Sequence, residues 1–276
     1  MDLLSYWKLR ERPFETVWDA RFFFPSRAHD EALHRLQYLA SEETMNIGLL
    51  TGEIGCGKTL TCAVFRDQLD PLRYCVASFD HVRFEFEDIV AGLLSALDEP
   101  APAGASRFAL WQRLGLALDR VMQSGRHCIA IFDEAQDFDT ETLRELKALT
   151  NLNGQGRAAL TLIFTGQPEL QRQLAAVPSL WQRVGLRFHL RSLTREEADA
   201  YLAHRLRVAG HCTGRVFSEE ALEYLFEVSR GIPRELNRLA KLAVEHAWVT
   251  GQELVSHAAI EAIVTDDAMH CLIHSS

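Results

Sequence analysis

One stretch of eight residues has the spacing of a phosphate-binding loop. Residues 52–59 read Gly-Glu-Ile-Gly-Cys-Gly-Lys-Thr and match the pattern GxxxxGK[ST] at every fixed position. Glycines let the backbone fold around a phosphate with its N–H groups pointing inward, and the start of a following helix adds partial positive charge. The alternative, a glycine-rich turn with a chance lysine, is the weaker interpretation because the loop stands between an apolar strand and a helical pattern.

The loop therefore predicts a site for ATP and Mg²⁺. We expect Lys58 to reach the β- and γ-phosphates and the Thr59 hydroxyl to bind Mg²⁺. The predicted nucleotide-binding residues of this segment are Gly52, Glu53, Ile54, Gly55, Cys56, Gly57, Lys58, Thr59 and Leu60.

A second motif supports the same chemistry. The apolar segment 129–132 ends in Asp133 and Glu134. At the carboxyl end of a strand, Asp133 can hold Mg²⁺ and its water shell, and Glu134 can polarise an attacking water. The alternative interpretation of this acidic pair is a solvated strand end, which is the weaker one because the chain also carries the phosphate-binding loop. Because a general base serves no purpose in a site that only binds, Glu134 predicts hydrolysis.

The elements that position these motifs alternate along the first two thirds of the chain. Continuous apolar runs of strand length occupy 46–51, 74–79, 128–132 and 160–165, with a fifth, shorter strand at 187–190. Helical patterns lie between them, at 59–69, 86–97, 107–122 and 140–149. Strands buried on both faces and separated by helices predict an α/β domain with a mainly parallel sheet.

After residue 193 the pattern becomes entirely helical. Thr194 and Glu197 have the spacing of a capping box, and helices are expected at about 194–209, 218–229, 233–249 and 256–265. Arg234 falls in the first turn of the third of these helices, where the helix dipole disfavours a cation. A bound γ-phosphate would explain that placement, and a solvated arginine is the alternative.

Composition and charge limit the function classes. The chain has 276 residues, which is enough for about two domains. Its residues are 47% hydrophobic and 24% charged, and this length and composition exclude disordered, collagen-like and small disulfide-stabilised proteins. A net charge of −9 argues against a surface built wholly to hold a polyanion. Without a long apolar run or a signal-like N terminus, the chain is expected to be cytoplasmic and to have no integral membrane segment. Six cysteines without CxxC spacing predict buried, reduced thiols.

Taken together, these segments resemble the AAA+ ATPases of the ExeA type, the general secretion pathway A ATPases, which are related to the transposition ATPases Mu B and TniB. The resemblance extends from about residue 5 to about residue 265. The resemblance rests on residues 52–59, Phe132-Asp133-Glu134-Ala135-Gln136, residues 165–170, Gln182-Arg183, Gly231-Ile232-Pro233-Arg234 and the N-terminal stretches 6–9, 13–14, 19–26 and 29–33.

The resemblance implies an AAA+ fold, with a five-stranded nucleotide-binding domain over 1–193 and a helical lid over 194–276. It implies that the N-terminal segment 1–45 packs near the nucleotide base. It also implies that Arg234 is the sensor-2 arginine and that Thr165 or Gln167 is the polar sensor near the γ-phosphate. From the residues alone Arg183 has no special claim over Arg187 or Arg191.

In the family pattern Arg183 becomes the candidate for an arginine finger that reaches the ATP of a neighbouring subunit, with Arg187 as runner-up. Assembly into a ring or filament would then control hydrolysis. One departure from the family is Cys56, where a Gly, Ala or Thr is usual. A thiol of lowered pKa at this position is one interpretation, and a tolerated small side chain is the favoured one.

Three functions remain open for such an ATPase. The first is a switch or motor for secretion or pilus assembly, with a protein partner. The second is a transposition regulator that binds duplex DNA in the presence of ATP, with candidate contacts near Arg83, Arg107 and Arg157. Because the sequence has no basic cluster, solvated surface charge is the favoured interpretation of these three arginines. The third is a slow, nucleotide-gated protein-binding module.

Overall fold

The computed structural model describes residues 1–15, 19–42, 45–80, 84–101, 104–154 and 157–273, without the side chains of 153, 154, 157 and 267–273. Its strands are β1 (Ile47–Gly52), β2 (Tyr74–Phe79), β3 (His127–Phe132), β4 (Asn153–Gly154), β5 (Arg157–Ala158), β6 (Leu160–Gly166) and β7 (Val184–Leu190). Its helices are α1 (Leu3–Trp7), α2 (Arg27–Ser41), α3 (Lys58–Gln68), α4 (Phe86–Ala96), α5 (Arg107–Gln123), α6 (Thr140–Leu149), α7 (Pro168–Ala175), α8 (Pro178–Trp181), α9 (Arg195–Val208), α10 (Glu219–Ser229), α11 (Pro233–Val249) and α12 (His257–Ile273).

The chain divides into two compact units. The sheet unit comprises residues 29–54 and 58–190, and the helical unit comprises 1–28, 55–57 and 191–276. The division after the sheet falls between Leu190 and Arg191.

Five parallel strands form the sheet of the first unit, in the order β2-β3-β6-β1-β7. Every residue of β1 and of β6 is buried, so both faces of these central strands are covered. The predicted α/β fold with a mainly parallel five-stranded sheet is confirmed. The edge strand β7 begins at Val184, three residues earlier than predicted. The prediction missed these residues because exposed side chains alternate with buried ones along β7, which weakens the apolar signal in the sequence.

An aromatic stack runs across three neighbouring strands of this sheet. Phe132 of β3 stacks on Phe79 of β2, with ring centroids 4.9 Å apart, and on Phe164 of β6, at 5.4 Å. The three residues are partners in the strand register, and each immediately precedes a loop or polar residue at the carboxyl end of its strand. The stack therefore fixes the level at which these strands end relative to one another.

The helical unit has its own core, formed by α9–α12 and by the N-terminal segment. Leu3, Trp7 and Phe14 are buried in it, and the indole Nε1 of Trp7 donates to the backbone O of Val244 at 3.1 Å. The buried guanidinium of Arg205 donates to the carbonyls of residues 13 and 15 at 2.5 and 2.9 Å.

This packing differs from the expected assignment of residues 1–45 to the sheet domain. Residues 1–28 group with the helical unit, whereas residues 29–45 stay with the sheet. The physical reason is that the apolar side chains of the first helix and the following loop are buried among α9–α12.

We expect Phe132→Ala to lower the free energy of unfolding by about 3–5 kcal/mol, because it removes a fully buried ring between two stacked neighbours. Urea denaturation followed by circular dichroism measures the change. Phe108→Ala, at a ring that is 68% exposed, is the matched control and should shift stability by less than about 0.5 kcal/mol. Equal stability of Phe132→Ala and the native chain would contradict this account of the core.

Candidate nucleotide site

The loop after β1 has the backbone conformation that its glycines allow. Strand β1 ends at Gly52 and α3 begins at Lys58. Gly55 and Gly57 have φ angles of +84° and +96°, a region that side-chain-bearing residues rarely adopt. The predicted strand, glycine loop and helix are therefore present, in the order that a phosphate-binding loop requires.

Lys58 lies inside this loop. Its side chain is buried, and its Nζ donates to the backbone O of Gly52 at 2.9 Å and to that of Glu53 at 3.1 Å. The ammonium group is thus held at the loop by carbonyl groups, with no carboxylate among these two partners.

The Asp133 carboxylate is the centre of the polar cluster at the carboxyl end of the sheet. Asp133 is buried and follows β3 directly. Thr59 of α3 donates its hydroxyl to Oδ2 at 2.5 Å, and the buried Thr165 of β6 donates its hydroxyl to Oδ1. The backbone N–H of Glu134 donates to the same Oδ1 at 3.0 Å. One carboxylate therefore joins the phosphate loop helix to two strands.

The hydroxyl of Thr59 and the carboxylate of Asp133 suit a Mg²⁺ ion. Both are hard oxygen ligands, and Mg²⁺ is commonly held by one or two protein ligands while it keeps several waters. Within the described residues there is no group of three or more His, Cys, Asp or Glu side chains arranged to hold a metal on its own. The site fits a metal that also binds phosphate and water.

Glu134 has an unusual backbone conformation. Its φ and ψ of +50° and +38° place it in the left-handed region, which a residue with a side chain occupies at a cost in free energy. Its half-buried carboxylate accepts a hydrogen bond from Nε2 of Gln136 at 2.8 Å. Backbone conformations of this kind are common at functional sites.

The two candidate sensors at the end of β6 lie in different environments. Thr165 is fully buried and contacts Asp133 through its hydroxyl. Gln167 begins α7 as its N-cap residue, and its backbone N–H donates to Oε1 of Gln136 at 3.1 Å. The structure thus brings Thr165 directly to the predicted metal ligand, and Gln167 to the neighbour of Glu134.

Arg234 and Gly55 are in contact within the helical unit. The backbone N–H of Arg234, in the first turn of α11, donates to the carbonyl of Gly55 at 3.2 Å. A Cβ atom at position 55 would lie 2.6 Å from the Cβ of Arg234, so only glycine permits this approach. The Arg234 side chain is exposed beside the tip of the loop.

Arg183 lies at the other end of the sheet from the phosphate loop. It directly precedes β7, whose first residue, Val184, is in register with Ile47 at the start of β1. The phosphate loop follows Gly52 at the other end of β1. From the rise per residue of a parallel strand, the loop lies about 20 Å from Arg183. The guanidinium of Arg183 donates to the hydroxyl of Thr150.

Arg187, the runner-up, is exposed and is positioned by an aromatic ring. Its guanidinium lies 3.6 Å from the centre of the Trp181 ring and donates to the Trp181 carbonyl at 3.3 Å. Both arginines are therefore held by their own chain, Arg183 half-buried and Arg187 exposed.

Comparison with known proteins identifies the family. A model of the AAA domain matches residues 41–174, which include the phosphate loop, Asp133 and Glu134. The chain is also 31% identical over 258 residues to General secretion pathway protein A of Aeromonas hydrophila, a match that covers 93% of this chain and 47% of that protein. The chain belongs to the ExeA-type AAA+ ATPases. It spans about half the length of this curated relative.

Solved structures share the fold of this ExeA-type chain at low sequence identity. The Aeropyrum pernix ORC2 protein, in ADPNP–ADP complexes, matches with a TM-score of 0.67 and 17% identity over 93% of this chain and 71% of that one. Drosophila ORC bound to DNA matches with a TM-score of 0.65 and 14% identity, over 94% and 64%. The Thermotoga maritima RuvB Holliday junction branch migration motor matches at 0.56 and 17%, over 87% and 68%.

The remaining predicted nucleotide-binding residues of this ExeA-type loop differ in exposure. Glu53 and Ile54 are exposed, Leu60 is half-buried and Cys56 is fully buried. Cys62, one turn into α3, is buried as well, and burial together with the Asp133 charge raises its pKa far above the ordinary range. This thiol therefore stays protonated and unreactive beside the site.

Of the three arginines proposed as DNA contacts, the structure describes the side chain of Arg107. Arg83 lies outside the described residues, and so does the side chain of Arg157. Arg107 is paired with Glu145 and lies 3.4 Å from Glu87. Over the described part of the chain, none of the helices has the length and apolar character needed to cross a bilayer.

Two residues that contact predicted site residues were not assigned a role from the sequence. Gln136 belongs to the motif that carries the family resemblance, but its contact with Glu134 depends on the short turn after β3. Thr150 follows α6 and holds Arg183. The sequence signal for Gln136 is its place in that motif, two residues after the predicted general base.

Proposed function

We propose that this chain binds ATP with Mg²⁺ and hydrolyses it to ADP and phosphate. The observation that carries the proposal is the Asp133 cluster: a buried carboxylate bonded to the threonine of a GxxxxGK[ST] loop and followed at once by Glu134. The AAA+ family supports ATPase activity in general.

The phosphate loop would hold the nucleotide through its own backbone and Lys58. Lys58 Nζ is already held at the loop by hydrogen bonds to the carbonyls of residues 52 and 53, so a small movement would bring it to the β- and γ-phosphates. Thr59 and Asp133 would hold Mg²⁺, which when bound neutralises charge on the phosphates. Arg234, beside Gly55, would contact the γ-phosphate as the sensor-2 residue.

Hydrolysis would use Glu134 as the general base. Water attacks the γ-phosphorus, its proton passes to the Glu134 carboxylate, and the bond from that phosphorus to the β,γ-bridging oxygen breaks with its electron pair on ADP. Thr165 is the preferred sensor because its hydroxyl contacts Asp133, whereas Gln167 contacts the site through its backbone N–H.

Assembly would complete the site. Because Arg183 lies at the opposite end of β1 and β7 from its own loop, it can act on ATP only in another subunit. A ring or filament would supply that geometry, and an arginine from a neighbour would stabilise charge in the transition state. Release of Arg183 from Thr150 would be part of this step.

For the cellular role we propose a nucleotide-controlled oligomeric switch or motor in a secretion or pilus-type assembly, with a protein partner on the cytoplasmic side. The curated relative's name, General secretion pathway protein A, supports this choice. A slow nucleotide-gated binding module uses the same chemistry and would show turnover that the partner does not accelerate. The transposition-type alternative has less support, because the described candidate Arg107 is engaged by acids; ATP-dependent binding of duplex DNA that falls steeply with salt would favour it.

We expect Glu134→Gln to lower kcat for ATP at least about 100-fold while ATP affinity changes less than about threefold, because the general base is lost and the loop is intact. Lys58→Ala should instead weaken ATP binding itself. Phosphate release and equilibrium binding of a fluorescent ATP analogue measure the two effects. Glu141→Gln, at a side chain that is 71% exposed, is the matched control. Full turnover in Glu134→Gln would contradict the assignment.

We expect turnover per subunit to rise with protein concentration, and Arg183→Ala to remove that rise and lower assembled turnover by about 10³-fold. Nucleotide binding should persist, because Arg183 is remote from its own loop. Arg172→Ala, at a side chain that is 79% exposed, is the matched control. If Arg187→Ala removes the rise and Arg183→Ala does not, the finger is Arg187. Turnover independent of concentration would contradict assembly control.

A further inference from the structure

Gln136 connects the Glu134 carboxylate to the start of α7. Its Nε2 donates to Glu134 Oε2 at 2.8 Å, and its Oε1 accepts from the backbone N–H of Gln167 at 3.1 Å. The backbone carbonyl of Gln136 accepts a further hydrogen bond from Nε2 of Gln173 at 2.8 Å. Gln136 is thus held by two residues at the N-cap and in the body of α7, and its side-chain NH₂ group donates to the acid.

The chemistry of the two contacts fixes the orientation of the amide. A backbone N–H can only donate, so the atom of Gln136 that faces Gln167 must be the oxygen. The NH₂ group is therefore left for the carboxylate of Glu134, which can only accept when ionised. A glutamate at 136 could satisfy Gln167 but would place a second negative charge against Glu134.

The neighbouring backbone leaves space for this amide. A Cβ atom on Gly166 would lie 2.4 Å from Oε1 of Gln136 and 2.9 Å from Cδ2 of Leu170. Gly166 ends β6 with an ordinary extended backbone, so glycine is required here for space and not for its φ angle. The position of the Gln136 amide thus depends on Gly166, a residue that makes no side-chain hydrogen bond itself.

We propose that Gln136 is a positioning residue, which holds the Glu134 carboxylate where it can take the proton of the attacking water. The inference rests on the proposed ATP hydrolysis. Glu134 has a left-handed backbone and a half-buried side chain, and the amide of Gln136 is the hydrogen-bond donor that the structure gives its carboxylate. A directed amide donor limits the rotamers of Glu134 and so fixes the direction in which its carboxylate points.

The first test measures kcat, KM and ATP affinity in two single variants and in the double variant that combines them. Gln136→Met keeps the length of the side chain but cannot donate, and Gly166→Ala displaces the amide without removing any polar group. Each should lower kcat about 10-fold or more with ATP affinity within about twofold, since misplacement by about 1 Å can cost 10²-fold in rate. The double variant should lose no more than the larger single effect, because both changes break the same contact.

Gln136→Glu adds a readout that a merely structural role would not move. A glutamate at 136 can still accept from the backbone N–H of Gln167 but, when ionised, cannot donate to Glu134, so kcat should fall about 10-fold or more with KM and ATP affinity within about twofold, although the link to α7 is kept. Gln136→Met, which can neither accept from Gln167 nor donate to Glu134, should lower kcat as well. Gln112→Met, at an exposed glutamine of α5, is the matched control and should behave as the native chain.

The outcomes separate this inference from the proposed function. If the native chain hydrolyses ATP and Glu134→Gln does not, while Gln136→Met and Gly166→Ala both keep kcat within about twofold, the positioning role is wrong and the function stands. Additive losses in the double variant, or a loss of ATP affinity that accounts for the lower rate, would also overturn it. If Glu134→Gln turns over normally, the proposed function itself fails.

Discussion

The candidate site depends on how a single buried carboxylate is satisfied. A charged group inside a protein is costly unless hydrogen bonds replace the water that it loses. Asp133 meets this requirement with two hydroxyls and a backbone N–H, from Thr59, Thr165 and Glu134. Because these donors come from the start of α3, from β6 and from the turn after β3, the start of α3 and the carboxyl ends of the two strands must lie at the same level for the carboxylate to be satisfied.

The sheet core provides that alignment. Phe132 and Phe164 are partners in the parallel register of β3 and β6, so the residues that follow them, Asp133 and Thr165, emerge side by side. The stacked rings are large, fully buried and closely packed, which makes a shift of one strand against its neighbour costly. The same turn then places Glu134 in a left-handed conformation, and Gln136 links its carboxylate to α7.

The sequence predicts the elements of this site better than their mutual contacts. The phosphate loop and the buried strands are readable because a strand covered on both faces is continuously apolar and because glycine spacing has few other causes. The edge strand β7 is readable only in part, since Arg187 and His189 are exposed within it. The grouping of residues 1–28 with the helical unit rests on contacts such as Trp7 with Val244, which have no local signature.

The polar links of the site are hidden from the sequence for a similar reason. The contact between Gln136 and Gln167 uses a backbone N–H, which every residue except proline carries, so no residue type marks it. The space for it comes from Gly166, whose small size could serve many purposes. Arg183 is predicted by family pattern alone, and its partner Thr150 lies on a different element.

The most direct test of the account is the effect of Mg²⁺ on ATP binding to Asp133→Asn, measured by isothermal titration calorimetry with Mg²⁺ and with EDTA. Asparagine keeps the shape of Asp133 but removes its charge and one acceptor. If Asp133 and Thr59 hold the metal, the native chain binds ATP more tightly with Mg²⁺, the variant loses this gain, and both bind alike in EDTA within about threefold. An undiminished Mg²⁺ effect in Asp133→Asn would contradict the central claim.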